Sequence, residues 1–361
     1  MRKKKILFVH HGVGLGGAPK SMSLLVNAMK NRHDDVEVLF LKKSEASTLI
    51  DTAKIHVNNI PIKYFNHSSR WYRWYEIHII LIQIFSWLMT VLILAPYWLI
   101  KIKPDIVYLN SSVLTDWAVS CKFFRKKVVI HIRESIADGY LGIRKWFIRN
   151  IINNTSSRVI LLSSHNYKCI NTCPEKSVII PNYVEDRSVF NSDKVYDFIY
   201  LGGEKDIKGI DLIEKLILCD RRAYNICLLG YYSKDFINKY GNLEGVILKG
   251  AVTNAMEYIS QSKFLLFPAT TPHFPRPVIE AFSMKTIPLA SDLAGIEEII
   301  DNNIDGILFR TDDFDDMCLK IDFVLKLSTE KIDRMSLDGF RKYKCQFSEI
   351  NQSKIIHLIT D

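Results

Sequence analysis

No Cys-x-x-Cys pair occurs among the seven cysteines of this 361-residue chain. An odd number without metal-type spacing fits free thiols in a reducing compartment, and argues against a disulfide framework or a zinc site. Basic residues form no block either. The net charge of +9 is spread along the chain, which excludes an arm wrapping nucleic acid and suits attraction of anionic ligands or an anionic membrane surface. There is no internal repeat and no low-complexity segment. The opening Met1-Arg2-Lys3-Lys4-Lys5 has the charge of an export signal, but the apolar run 6–9 ends at His10-His11-Gly12. That run is too short for a signal and suits a first β-strand.

The longest absence is of charge. Residues 77–100, "IHIILIQIFSWLMTVLILAPYWLI", contain no Asp, Glu, Lys or Arg, and a helix of that length can span a bilayer. The preceding "RWYRWYE", residues 70–76, is an aromatic and basic cluster of the kind found at membrane interfaces. Pro96 is expected to break the helix, and "IKIKPDIVYLN" to resume as a strand. A crossing would put the two halves of one sheet on opposite sides of the membrane. Three readings stay open: a crossing, a helix dipping into one leaflet, and an ordinary buried helix.

What is present is alternation of short apolar runs with helical stretches, the pattern of parallel α/β units. Strands are expected at 6–11, 36–41, 105–109, 128–132, 158–162 and 177–180, then at 197–201, 225–229, 246–248, 264–267, 287–290 and 306–309. Between the two series, residues 180–197 read as an interdomain linker. The expected organisation is an N-terminal Rossmann-like domain over 1–185, a second over 186–334, and a C-terminal helix over 335–361 packing back across the boundary. Two such doubly wound domains would place their strand ends, and their ligands, in a central cleft.

Four stretches carry candidate chemistry. In "HHGVGLGGAPKS", Gly12, Gly14 and Gly17 match G-x-G-x-x-G after a strand. A dinucleotide site also needs an acid at the end of the second strand, and here Lys42 and Lys43 stand there. A nicotinamide or flavin enzyme is thereby disfavoured, leaving an anion- or sugar-binding loop or a plain tight turn. "VVIHIRES" ends a buried strand with His131, Arg133 and Glu134 at its carboxyl edge, where His131 is a working residue or a structural one. "YLGGEKDIKGIDL" places Gly202, Gly203 and Lys208 at a helix start, a suitable diphosphate cradle or a solvated loop. In "PHFPRPVIEAFSMKTIPLASD", Glu280 is expected to open a helix. There it either complements the helix dipole or accepts from both hydroxyls of a ribose.

Read together and in order, "GLGGAPKSMSLLVNAMKNRHDDVEVLFL", "VILLSSHN", "IIPNYVEDRSVF", "YLGGEKDIKGIDLI", "FPRPVIEAFSMKTIPLASDLAGIEEIIDNNIDGILF" and "CQFSEINQSKII" resemble the retaining glycosyltransferases of family 4, which have the GT-B fold. The resemblance implies transfer of a sugar from a nucleotide-sugar to a hydroxyl acceptor, the first domain holding the acceptor and the second the donor. By position it implies that Lys208 contacts the donor diphosphate, Glu280 the ribose, Gly16 and Gly17 a cleft-facing loop, and His131 the donor sugar; His131 and Glu280 are the catalytic candidates. Gly202, Gly203, His273, Arg276, Pro277 and Val278 complete the donor set. No metal or cofactor is required. Two departures stand out. The family's paired glutamates lie eight positions apart, and here Pro272 stands where the first belongs, with His273 and Pro275 replacing glycines. The usual diphosphate-loop arginine is also missing, with Gly203 or Glu204 near its place. Either His273 and Arg276 take over the lost contacts, or the chain binds nucleotide without transferring sugar. The same residues leave room for a sugar-nucleotide epimerase of this fold, and for a membrane-bound interaction protein. The charge and the apolar segment point to a glycan or lipid-linked acceptor in cell-surface polysaccharide assembly. They also point to a cytoplasmic protein, peripheral on the inner face of the membrane through 71–100.

Overall fold

The computed structural model of the chain describes residues 4–12, 14, 16–32, 34–51, 53–58, 77–136, 142–186, 193–219 and 224–360. The aromatic and basic cluster 70–76 and part of the linker read at 180–197 lie outside them. The chain divides into two compact units, Met1–Asn182 with Asn351–Asp361, and Tyr183–Ile350.

In the first unit the strands are β1 (Lys5–His10), β2 (Asp35–Phe40), β3 (Lys54–Val57), β4 (Ile106–Leu109), β5 (Lys127–Ile132), β6 (Arg158–Leu161) and β7 (Ser177–Ile179). All pair in parallel, in the order β3-β2-β1-β4-β5-β6-β7. Helices α1 (Gly17–Asn31), α2 (Ile77–Met89), α3 (Ala95–Ile102), α4 (Thr115–Phe123), α5 (Ile143–Thr155) and α6 (Ser164–Ile170) connect them. The second unit contains β8 (Tyr196–Leu201), α7 (Ile210–Leu218), β9 (Ile226–Leu229), α8 (Lys234–Tyr240), β10 (Val246–Gly250), α9 (Ala255–Ser260), β11 (Ser262–Phe267), α10 (Arg276–Ser283), β12 (Ile287–Ser291), β13 (Ile307–Phe309), α11 (Phe314–Leu325) and α12 (Thr329–Lys342). Its strands are also parallel, in the order β10-β9-β8-β11-β12-β13. The last helix, α13 (Glu349–Thr360), joins the first unit, where Gln352 donates to the Leu24 carbonyl at 3.1 Å and Lys4 to that of Thr360 at 2.9 Å.

A parallel strand covered by helices on both faces is apolar throughout, so its residues are buried without alternation. Leu7, Phe8 and Val9 of β1 and Leu265 and Leu266 of β11 are fully buried. The twelve ranges expected as strands, from 6–11 to 306–309, each hold one, to within two residues at its ends. The edge strand β3 escaped that reading because "KIHV" is short and only half-buried. Each sheet reverses its strand order once, between β1 and β4 and between β8 and β11. Ligands of such sheets sit outside the carboxyl ends of the strands at those reversals.

The apolar segment corrects two expectations. Pro96 does not break the helix: α2 and α3 run on as one helix, His78–Ile102, through a wider turn at Thr90–Leu94. That π-type turn relieves the collision between a proline ring and the preceding turn of backbone. The helix then continues through Ile102, where a strand was expected to resume, and ends on Lys103 in the left-handed conformation (φ 55°) before Pro104. Such a stop is common at helix C-termini. Leu94, Ala95, Trp98, Leu99 and Ile102 are buried in the core under the first sheet. The helix connects β3 to β4, and both lie in that one sheet. It is long and apolar enough to cross a membrane, yet one face belongs to the sheet's core, and 28% of its most apolar stretch is buried.

Candidate functional site

Two loops meet at the reversal of the second sheet. After β8 the chain turns through Gly202 and Gly203. Gly203 has φ 59°, and a Cβ there would lie 2.9 Å from the backbone of Tyr231. A short 3-10 turn, Asp206–Lys208, follows and ends on Gly209 with φ 72°. A Cβ on Gly209 would come within 1.7 Å of the Pro268 carbonyl oxygen, so only glycine lets this loop press against the one after β11. The Thr270 N–H donates to the Ile207 carbonyl at 3.3 Å and joins them further.

The contact sets Lys208 beside His273, Nζ to Nε2 at 3.2 Å, with the ammonium 4.9 Å over the Phe267 ring. His273 Nδ1 donates to the Thr271 carbonyl at 2.7 Å, which leaves Nε2 as an acceptor facing Lys208. Burial, and next the charge of Lys208, bring the His273 pKa down to about 4, so the ring is neutral at physiological pH. Burial and then Lys205 lower that of Lys208 to about 8. A half-buried ammonium with no carboxylate partner among the described residues is stabilised by an arriving anion.

Glu280 does not open its helix. α10 begins at Arg276, with Pro277 in its first turn, so Glu280 lies one turn in, and its first turn holds no acid. The dipole role expected for it is lost, and a salt bridge takes its place: Arg276 Nε to Glu280 Oε1 at 2.7 Å, with only 10% and 11% of the side chains exposed. Arg276 also donates from Nη1 to the Tyr183 carbonyl at 3.0 Å. Its guanidinium is thus engaged by Glu280 and the Tyr183 carbonyl in this structure. Val278 is fully buried, so its side chain meets the core and only its backbone can face a ligand. Glu204, near the place of the absent arginine, accepts from the Ser233 N–H at 2.7 Å and steadies the start of α8.

In the first unit Gly16 caps α1 in an extended conformation and Gly17 is its first residue. Asn110, Ser111 and Ser112 follow β4 at the sheet reversal and are buried. Asn110 Nδ2 lies 3.1 Å from His10 Nδ1, and its side-chain oxygen accepts from Arg133 Nε at 2.7 Å. Arg133 Nη1 donates to Asn182 at 2.9 Å, and Glu134 accepts from Ser111 Oγ at 2.6 Å. His131 is buried, with Nδ1 2.5 Å from the Tyr108 hydroxyl and Nε2 without a hydrogen-bond partner among the described residues. Burial, then Arg133, hold its pKa well below the usual histidine range. His10 Nε2 is likewise unpartnered among them. Lys208 and His273 are therefore brought together, as are Arg276 and Glu280, while His131, Gly16 and Gly17 belong to the first unit. The sequence reading passed over Asn110, Ser111, Ser112 and Phe267; a polar triplet directly after a buried strand was the available signal for the first three.

Residues 185–340 match the family model described as glycosyl transferases group 1. Among curated proteins no relative matches. Solved structures of similar fold include HepE of Anabaena in complex with UDP, at 16% identity over 98% of both chains with a TM-score of 0.75. A glycosyltransferase from Rickettsia africae is 17% identical over 99% of this chain and 98% of that one, TM-score 0.75. A point mutant of S. aureus TarM, in complex with fondaparinux, alpha-GlcNAc-glycerol and UDP, is 14% identical over 99% of this chain and 100% of that one, TM-score 0.73. The fold, two parallel-sheet Rossmann-like units, is that of GT-B glycosyltransferases.

Proposed function

We propose that this chain transfers a sugar from a nucleotide-sugar to an acceptor hydroxyl. The observation that carries the reading is the pairing of Lys208 with His273 at the strand-order reversal of the second sheet, inside the span that matches the glycosyltransferase family. Lys208 meets the donor diphosphate beside the turn at Gly202 and Gly203, and Glu280 meets the ribose. His273, neutral and accepting, orients Lys208, while Arg276 holds Glu280. The UDP bound by HepE and TarM makes UDP-sugars the donors to try first.

The reaction retains the anomeric configuration, as in family 4. The departing diphosphate takes the proton of the incoming hydroxyl on the same face of the sugar, so the protein's part is positioning and stabilisation of phosphate charge. No metal is needed for these steps. The first unit holds the acceptor, and His131 meets a substrate hydroxyl through Nε2. A glycan or lipid-linked acceptor in cell-surface polysaccharide assembly, reached from the cytoplasmic side with the protein peripheral on the membrane, fits the charge and the apolar helix. The test is turnover of UDP-sugars by Glu280→Gln and Arg276→Gln variants with matched unfolding midpoints. Losses of tenfold or more, on the order of a charged hydrogen bond, support the site, and unchanged turnover in both removes it. Stabilisation by a nucleotide-sugar that is never consumed marks a binding protein instead.

A further inference from the structure

We propose that the first unit docks on a bilayer containing anionic phospholipid, through an apolar stripe along His78–Ile102 and a cationic recess on α5 that receives a lipid phosphate. The inference deepens the membrane contact proposed above and rests on it, but not on the transfer chemistry.

The stripe follows from spacing. Leu81, Phe85 and Leu88 are 59%, 63% and 44% exposed and recur at four and three residues, one face of a helix. The π-type turn at Thr90–Leu94 inserts a residue, and the series resumes in step at Ile93, Tyr97 and Ile100, 56%, 52% and 59% exposed. The outward face is therefore apolar from Leu81 to Ile100 while the inward face fills the sheet's core. Solvated helices reverse that outward preference.

A second apolar area lies on α5, where Ile143 is 59% and Trp146 57% exposed. The two helices meet: the Trp87 ring of α2 lies 5.7 Å from that of Phe147 in α5, and its indole N–H donates to Thr115 of α4 at 3.1 Å. Beside Trp146 is a recess of about 290 Å³ lined by Lys145, Arg149, Lys168, Gly142 and residues 169–171, with no carboxylate among the described residues of its wall. Helices α2, α3 and α5 contain no Asp or Glu, and the one carboxylate of α4, Asp116, is buried. At the far end of the stripe Lys101 folds over Tyr97 and Trp98, 5.3 and 4.8 Å from their rings, the posture of a lysine at an apolar-polar boundary.

This charge pattern selects the occupant. A second copy of the chain meeting this face symmetrically would set cation against cation. An anionic bilayer supplies both apolar tails and phosphates, which guanidinium and ammonium groups hold and beside which tryptophan accumulates.

Full-length protein is sedimented with vesicles of phosphatidylcholine alone and of phosphatidylcholine mixed with phosphatidylglycerol. Binding is expected to the mixed vesicles only. The double variant Phe85→Glu with Leu88→Glu, at solvent-exposed positions, weakens it roughly tenfold or more, and Arg149→Gln with Lys168→Gln roughly thirtyfold. Thermal stabilisation by UDP-sugar, read in the same samples, is unchanged in both variants, so failure of the donor reading is seen separately. Binding to neither vesicle, equal binding to both, or a soluble dimer that the glutamate substitutions dissolve would each overturn the inference.

Discussion

Replacing Lys208 with methionine removes the ammonium but keeps most of the stem over Phe267, and the consequence depends on pH. In the free protein burial, then Lys205, set the Lys208 pKa at about 8 rather than its ordinary 10.5. A diphosphate bound beside it favours the charged form and raises that value, so affinity is full below pH 8 and falls above it. From pH 7 to pH 9 the charged fraction drops from roughly nine tenths to roughly one tenth, a loss of about tenfold in affinity. His273, with its pKa near 4, stays neutral throughout and adds no titration of its own. At pH 7 the K208M variant should bind UDP-sugar on the order of 30-fold more weakly, the value of one charge-assisted hydrogen bond. Isothermal titration calorimetry at the two pH values, wild type against variant, cancels any titration of the nucleotide itself. The gap between them should shrink toward pH 9. A gap that stays constant, or a variant that binds as tightly as wild type at pH 7, refutes the assignment of Lys208 to the diphosphate.

Gly209→Ala places a methyl group against the Pro268 carbonyl at a left-handed position; a stability loss on the order of 2 kcal/mol in urea titration is expected, and a neutral effect would contradict the loop contact. Arg276→Ala strands a mostly buried Glu280, at a cost of about 3 kcal/mol in chemical denaturation, part of which returns when Glu280→Ala is added; fully additive losses would deny the coupling. Burial raises the Asp116 pKa from 3.8 to about 7, so the folded state binds its proton more tightly than the unfolded, and stability falls as pH rises between those values. Asp116→Asn should therefore match wild type near pH 4 and exceed it at pH 8, by on the order of 4 kcal/mol at most, read as the difference in melting temperature across pH; a pH-independent difference would show that the carboxyl does not titrate as described.

The strands were legible because a parallel strand under helices is apolar on both faces, and "ILFV" or "FLLF" bounded by polar residues has few other uses. Helix ends were harder. Glu280 was expected to open its helix, but a proline in a helix's first turn lacks only an N–H that would be unpaired there, so α10 starts at Arg276 with Pro277, four residues before Glu280. Pro96 misled in the same way, since no composition announces the π-type turn that accommodates it. The pairing of Lys208 with His273 joins residues 65 apart in the chain. Only the adjacency of β8 and β11 creates it, and a linear reading cannot supply strand order. Asn110, Ser111 and Ser112 carry no charge and match no motif, so the polar triplet after a buried strand was a faint signal, and strand order was needed to place it at the first sheet's reversal.

The most direct test of donor binding at Lys208 and Glu280 is release of nucleoside diphosphate from a panel of nucleotide-sugars, by wild type and K208M in parallel. One donor should be consumed by wild type, with K208M slower by at least the roughly 30-fold expected of binding and its unfolding midpoint unchanged. Consumption of no donor, or equal turnover by the two proteins, would contradict a sugar-transfer site built on these residues.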